Sequence, residues 1–287
     1  MPRDLGILWQ WQYDERFVNL LDQVCSSQGK TSYLVSSHNR EESLRMIKAG
    51  ELRFRMVLDR ATDCDPAFIP VVQLLQEAGS RILNQPERAA YAENKKTMHY
   101  ELIKAGLNVP YTVMLSPSER LPTEALDTLG EPFVIKPAEG GGGEGVLLGA
   151  TNAHDVTRMR EDYPGVPILI QEKIIPRELH GRRYWFRVFY VCGQVVPCFW
   201  DHRTHVYERL SHFEELDFAE LEKIAGKIGE ITGLDFFSTE VAQIEDGRFV
   251  VVDYVNDQCD MRFQSDTPDG VPDAVIEEIA RALVRTL

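Results

Sequence analysis

The chain has 287 residues, 44% of them hydrophobic and 26% charged, with 20 glycines and 15 prolines; this suits two domains or one large composite fold and excludes a disordered, collagen-like or disulfide-miniprotein description. Acidic residues outnumber basic ones 45 to 31, a formal net charge of −14, so the field of the chain repels phosphate backbones and anionic lipid, and neither nucleic acid nor membrane is expected as a partner. The uncharged stretch 188–200 is too short to span a bilayer, no cleavage pattern follows the apolar run 5–9, and the five cysteines form no C-x-x-C pair; the expectation is a cytoplasmic protein with reduced thiols and no zinc.

Residues 5–82 alternate strand and helix. Leu5 to Trp11 is a short apolar run, Asp14 is placed to cap a helix carrying Phe17, Leu20, Leu21 and Val24 on one face, and Thr31 to Ser36 is β-branched and aromatic again. Asn39 and Glu42 stand at N-cap and N3 positions of a second helix, Met56 to Leu58 gives a third strand, and a third helix runs from Phe68 to Ala78 and stops at Gly79. The alternation predicts a parallel sheet covered by helices. No glycine fingerprint follows the first strand, so this region reads as scaffold and substrate platform. One helix is predicted from Pro86 to Ala105, closed by Gly106. A small α+β unit follows: a strand from Tyr111, a helix 123–129, strand 133–136, a glycine loop, strand 146–148, a helix 153–163 and strand 168–172. Then come a hairpin of 184–191 with 195–199 around Gly193, a helix 218–232 with Leu221, Ile224, Ala225, Ile228 and Ile231 inward, a second hairpin and a terminal helix.

Two constellations carry chemistry. The loop Glu139–Gly145 holds four consecutive glycines, Gly140 to Gly143, whose ordering costs more backbone entropy than that of any other residues. Their amides, unobstructed by Cβ atoms, can wrap a phosphate chain while Lys136, at the end of the preceding strand, supplies positive charge; a flexible solvated hairpin is the alternative. In the second constellation Leu234–Val241 and Phe249–Val255 are joined through Asp246-Gly247, a strong hairpin signal. With those two residues at the turn centre, Glu240 faces Asp253 at the end of an apolar stripe formed by Ala242, Ile244, Phe249 and Val251. Two like charges so placed repel, and Mg2+ between them, with room for phosphate oxygens, removes the penalty; a pair of exposed strand-end acids is the competing reading.

In order along nearly the whole chain, these pieces resemble the ATP-grasp superfamily, and within it the RimK-type carboxylate–amine ligases. Asn84-Gln85-Pro86, then Lys96 to Gly106 and Pro110-Tyr111-Thr112, resemble the linker whose lysine reaches the nucleotide, with Lys95 left open beside Lys96. Phe133 to Lys136 with Gly141, Gly142 and Gly143 is similar to the lysine strand and phosphate loop, and Leu169 to Ile174 to the hinge, where Gln171, Glu172, Lys173 and Ile174 would hold adenine. Arg187 falls on the arginine that faces the transferred phosphate, and Glu240, Asp253 and Asn256 on the metal-binding strands. Asp253 and Asn256 are three apart where the family's pair is two apart, so either a bulge restores Asn256 or Asp257 takes its place. His202, Arg203 and His205 follow the first hairpin and could hold a substrate carboxylate or reach the phosphate; a solvated loop is the other reading. Trp185, Phe189, Phe199 and Trp200 read as core or pocket wall.

The resemblance implies an ATP-grasp fold of mixed α/β and α+β class: an N-terminal βαβ domain (1–93), a linker helix and central α+β lid (94–175) and a C-terminal α+β domain (176–287). It implies ATP and Mg2+ as cofactors, and small-molecule or peptide carboxylates and amines joined through an acyl phosphate, in a monomer or homo-oligomer. Arg187 and Arg203 would be the catalytic residues. Two other readings are a kinase phosphorylating a small alcohol with the same grip, and an ATP-binding module that no longer turns over.

Overall fold

A computed structural model describes residues 2–140, 143–210 and 218–287 of the chain. Strands β1 (Arg3–Trp9), β2 (Ser32–Val35), β3 (Phe54–Arg60) and β4 (Arg81–Leu83) form the expected parallel sheet, in the order β2-β1-β3-β4. Its connections are helices α1 (Glu15–Ser27), α2 (Arg40–Lys48) and α3 (Ile69–Glu77). The α1 residues Phe17, Val18 and Leu21 pack with Leu5 and Ile7 of β1, while Leu8, Val35 and Val57 meet Ile47, Phe68 and Val71 on the opposite side. Strands covered on both faces need no polar alternation, which is why β1 reads as a nearly continuous apolar run.

The two expected helix caps are absent. The Asp14 carboxylate turns inward to accept hydrogen bonds from Arg60 Nε and Nη2 at 2.8 and 2.7 Å, and Asn39 accepts from Ser36 N instead of from its helix. A buried guanidinium needs a carboxylate more than a helix end open to water needs a cap. Asp14→Ala leaves Arg60 buried and unpaired, so an unfolding free energy lower by about 3–5 kcal/mol is expected in a denaturant titration. An unchanged midpoint would show that the pair holds nothing together.

The predicted helix 86–105 is two helices, α4 (Pro86–Glu93) and α5 (Lys95–Lys104). Asn94 leaves helical geometry at ψ 100° and caps α5, accepting from Thr97 N at 2.9 Å; such a local competitor leaves no trace in apolar spacing.

Next, β5 (Thr112–Leu115), α6 (Thr123–Leu129), β6 (Phe133–Pro137), β7 (Leu147–Ala150), α7 (Ala153–Asp162) and β8 (Ile168–Glu172) build an antiparallel sheet ordered β5-β8-β6-β7, with its own core around Phe133, Ile135, Val156 and Ile170. A short ribbon of β9 (Glu178–Leu179) and β10 (Arg182–Arg183) leads into β11 (Trp185–Val191), β12 (Gln194–Trp200) and β13 (Tyr207–Arg209). After α8 (Phe218–Thr232) the chain adds β14 (Phe236–Gln243) and β15 (Phe249–Asn256), completing an antiparallel sheet ordered β13-β12-β11-β14-β15. Helix α8 buries Leu221, Ile224, Ala225 and Ile228 on one face of this sheet together with Met98 and Leu102 of α5; Ile231 is only partly covered. The last helix, α9 (Asp273–Arg285), packs on α1 and on strands β11 and β12, so one core runs from the first sheet to the last. Among the described residues no helix is long and apolar enough to cross a membrane.

Candidate active site

The β14–β15 hairpin sets the geometry. Its turn is one residue longer than the expected Asp246-Gly247 pair: Gly247 takes φ +88° and donates to Ile244 O at 2.9 Å, while Ile244 N donates to Arg248 O at 2.9 Å. A turn ending in a left-handed glycine shifts the pairing by one, so Gln243 faces Phe249 and Val241 faces Val251. A bulge then shifts it back, and Glu240 faces Asp253 as the sequence predicts. Thr239 Oγ1 donates to the Asp253 carbonyl at 2.8 Å beside the bulge. A second irregularity sets Ser238 opposite Asn256, whose Nδ2 donates to Asp253 Oδ2 at 2.9 Å. Asn256 is thus returned to the acids, and Asp257 instead accepts from Asn84 Nδ2 at 2.8 Å.

Register carries the row further: Arg187 of β11, Glu240 of β14 and Asp253 of β15 stand side by side across three strands. Arg187 Nη2 lies 2.7 Å from Glu240 Oε1, and Trp185 Nε1 donates to Glu240 Oε2 at 3.2 Å. Trp185 stacks on His202 with ring centres 4.2 Å apart, and the Arg187 guanidinium lies 4.6 Å from the centre of the Trp200 ring. The tryptophans are therefore wall. Burial lifts the Glu240 carboxyl above its ordinary range; Arg187 opposes the shift and Asp253 adds to it.

Magnesium is a fair fit to this donor set. Among the described residues no group of three or more His, Cys, Asp or Glu could hold a metal unaided, but two adjacent carboxylates beside an amide suit a hard cation whose remaining ligands are waters and phosphate oxygens. Among the same residues no ion pair engages Asp253, which leaves its charge for such a cation.

Lys136 approaches from the other sheet. It is 6% exposed, donates to Val252 O at 3.2 Å, and its ammonium lies 5.1 Å from the centre of the Tyr254 ring. Burial holds this ammonium below the ordinary lysine range, with Asp253 and Glu240 opposing and Lys95 adding to the shift. Of the two lysines the sequence left open, Lys95 is the one bonded to the glycine loop, through Gly140 O, and its own N donates to Ala138 O at 3.0 Å. Lys96 sits half-buried beside it on the first turn of α5.

A polar network, not foreseen from the sequence, runs beneath Lys136. Gln171 Nε2 donates to Thr112 Oγ1 at 2.9 Å and to the Tyr254 hydroxyl at 3.0 Å, and that hydroxyl lies 2.6 Å from His99 Nδ1. The hydroxyl and Nδ1 are joined in either tautomer of the His99 ring. Burial, with Lys136 nearby, pushes the His99 pKa down to about 4. A histidine that protonates more readily unfolded than folded stabilises the protein fully above the unfolded pKa and loses that contribution in acid. Unfolding free energy is therefore expected to fall between the ordinary value of 6.5 and about 4, and His99→Gln to flatten that slope in denaturant titrations at pH 7 and 5. Equal slopes in the two proteins would refute the assignment.

The Gln171 side chain is turned into the protein by the bonds just described, so it offers no side-chain contact to a nucleotide. Glu172 Oε1 accepts from Tyr111 N at 2.7 Å, Lys173 is exposed, and Ile174 packs against the core. Arg203 lies in an exposed turn beside Asp201, whose Oδ1 accepts from Arg203 N at 2.9 Å. Gly143 adopts φ +78° in the glycine loop, while Gly141 and Gly142 lie outside the described residues. Trp185, Tyr254 and His99 were missed as polar partners. The available signal was that a buried Trp N–H or Tyr O–H needs an acceptor, but the sequence does not say which.

A parallel sheet, an antiparallel four-stranded sheet and a five-stranded sheet bearing paired acids define an ATP-grasp fold, and the chain has that fold. It superposes on a RimK-domain ATP-grasp protein of Sphaerobacter thermophilus with a TM-score of 0.65 at 19% identity, covering 98% of both chains. It superposes equally on the ATP-grasp ligase PsnB complexed with a minimal precursor, Mg and ADP (TM-score 0.67, 18% identity, 98% and 97% covered). A third match is D-alanine–D-alanine ligase of Bacillus anthracis complexed with ATP (0.67, 16%, 99% and 97%). Among curated proteins, human N-acetylaspartylglutamate synthase A is 30% identical over 195 residues, 64% of this chain and 48% of that protein. Zebrafish beta-citrylglutamate synthase B is 29% identical over 191 residues, 64% and 46%. The chain spans about half the length of the curated relatives it matches. No family model matches it.

Proposed function

We propose that the chain is an ATP- and magnesium-dependent carboxylate–amine ligase working through an acyl phosphate. The observation that carries this reading is the row Arg187–Glu240–Asp253 on one sheet with the Lys136 ammonium brought over from another. The chain then works as three units, 1–93, 94–175 and 176–287, with ATP between the second and third and the backbone of 172–174 beside adenine. Lys136 and Lys95 meet phosphate oxygens, Lys95 in place of Lys96, and the glycine loop closes over them to exclude water. Glu240, Asp253 and Asn256 would hold magnesium, which when bound neutralises phosphate charge and aligns the γ-phosphate.

A substrate carboxylate oxygen attacks the γ-phosphorus while the bond to ADP breaks; the amine nitrogen then attacks the acyl carbon, loses a proton, and inorganic phosphate leaves. Arg187 neutralises charge on the transferred group. No nucleophilic side chain is needed, and burial pushes the thiols of Cys198 and Cys259 up to about 12, which keeps them inert. The names of the curated relatives make glutamate the first amine to try.

The test is magnesium-dependent ADP release across a pooled library of amino acids, peptides and polyamines, followed by mass spectrometry. The expected product weighs the sum of two library members less one water. A product heavier by a phosphoryl group would make the protein a kinase, and nucleotide binding with no ADP release would make it a binding module; either outcome overturns the reading.

A further inference from the structure

Tyr254 lies on β15 between Asp253 and Asn256, is 1% exposed, and contacts the components of three other elements. Its hydroxyl takes the hydrogen bond from Gln171 of β8 at 3.0 Å and reaches His99 of α5 at 2.6 Å. Its ring lies 5.1 Å from the ammonium of Lys136 on β6, within range of a cation–π contact. The same ammonium is bonded to the carbonyl of Val252, two residues back along β15. Both anchors of Lys136 therefore belong to the strand that carries Asp253. The far side of the network is closed as well, since Thr112 Oγ1 accepts from Gln171 and donates to Pro110 O at 2.7 Å. Phenylalanine would fill the space, but it would leave Gln171 Nε2 and His99 Nδ1 each one partner short.

We infer that Tyr254 is a positioning residue: it touches neither nucleotide nor metal, and it fixes the Lys136 ammonium at the level of the Asp253 carboxylate while tying β15 to β8 and α5. The inference rests on Lys136 meeting nucleotide phosphate, as proposed above. Because Tyr254 acts through Lys136, its effect must vanish once that amine is gone.

Magnesium-ADP is titrated by calorimetry into the wild type, Y254F, K136M and Y254F/K136M, with thermal midpoints recorded for each. Loss of buried hydrogen bonds and of the ring's fixed position should weaken binding by about tenfold in Y254F, and loss of the charge by about 100-fold in K136M. The double variant should bind as K136M does, because residues acting through one contact are not additive. A Y254F effect that repeats in full on the K136M background, or a Y254F that binds like wild type, overturns the inference while leaving the nucleotide site intact. Should Y254F melt too early to titrate, Gln171→Leu removes the support from the other side and must give the same non-additive pattern with K136M. A wild type that does not bind magnesium-ADP overturns the site and the inference together.

Discussion

Asp253→Asn is expected to cut magnesium-dependent ADP formation by about 10²–10³-fold or more, the range seen when one preorganised electrostatic group is removed from a reacting site. The substitution is nearly isosteric. An asparagine can still accept from Asn256 Nδ2, and Glu240 keeps its pair with Arg187 and its hydrogen bond from Trp185. What disappears is the charge for which no ion pair is found among the described residues. Two like charges facing each other across a strand pair are destabilising, so the thermal midpoint should hold or rise while turnover falls. A variant that hydrolyses or transfers ATP normally in a coupled assay would remove Asp253 from the site; one that loses turnover only by unfolding would make it a structural residue.

Lys136→Met is expected to give the same pairing of outcomes more sharply. The wild-type ammonium is almost wholly buried and is supported by a carbonyl and an aromatic ring, with Asp253 and Glu240 acting on it outside ion-pair contact among the described residues. Keeping a charge there without a close counter-ion costs stability. Methionine fills nearly the same volume with no charge. Melting should therefore move upward, by the equivalent of about 1 kcal/mol or more, while ADP formation drops to background. A protein that gives up stability to hold a group ready for its ligand behaves in this way. A midpoint lowered by several degrees would identify Lys136 as part of the core instead.

The facing of Glu240 and Asp253 was legible because an Asp-Gly pair between two apolar strands fixes a hairpin. Yet the agreement holds through compensation, since the longer turn removed one residue from the register and the bulge returned it. Neither irregularity is encoded in residue type strongly enough to be read. Asn256 shows the same limit: its place depended on a bulge that the sequence could offer only as one of two alternatives. Alternation of strand and helix located the first sheet, but Asp14, Asn39 and Asn94 sorted themselves by tertiary demand, and only Asn94 became a cap. The network of Gln171, Tyr254, His99 and Thr112 joins residues up to 155 positions apart, and no periodic pattern announces partners at that range.

The irregular pairing of β15 reaches beyond the acids it aims. This strand is the outermost member of its sheet, and a flat strand in that position offers its free amides and carbonyls to any unpaired strand of another molecule. Here the bulges bend it, and Asn108 occupies part of its outer side, accepting from Val251 N at 2.8 Å and donating to Phe249 O at 3.0 Å. Straightening β15 by deleting its two extra residues would thus expose the protein to edge-to-edge aggregation as well as scattering its carboxylates.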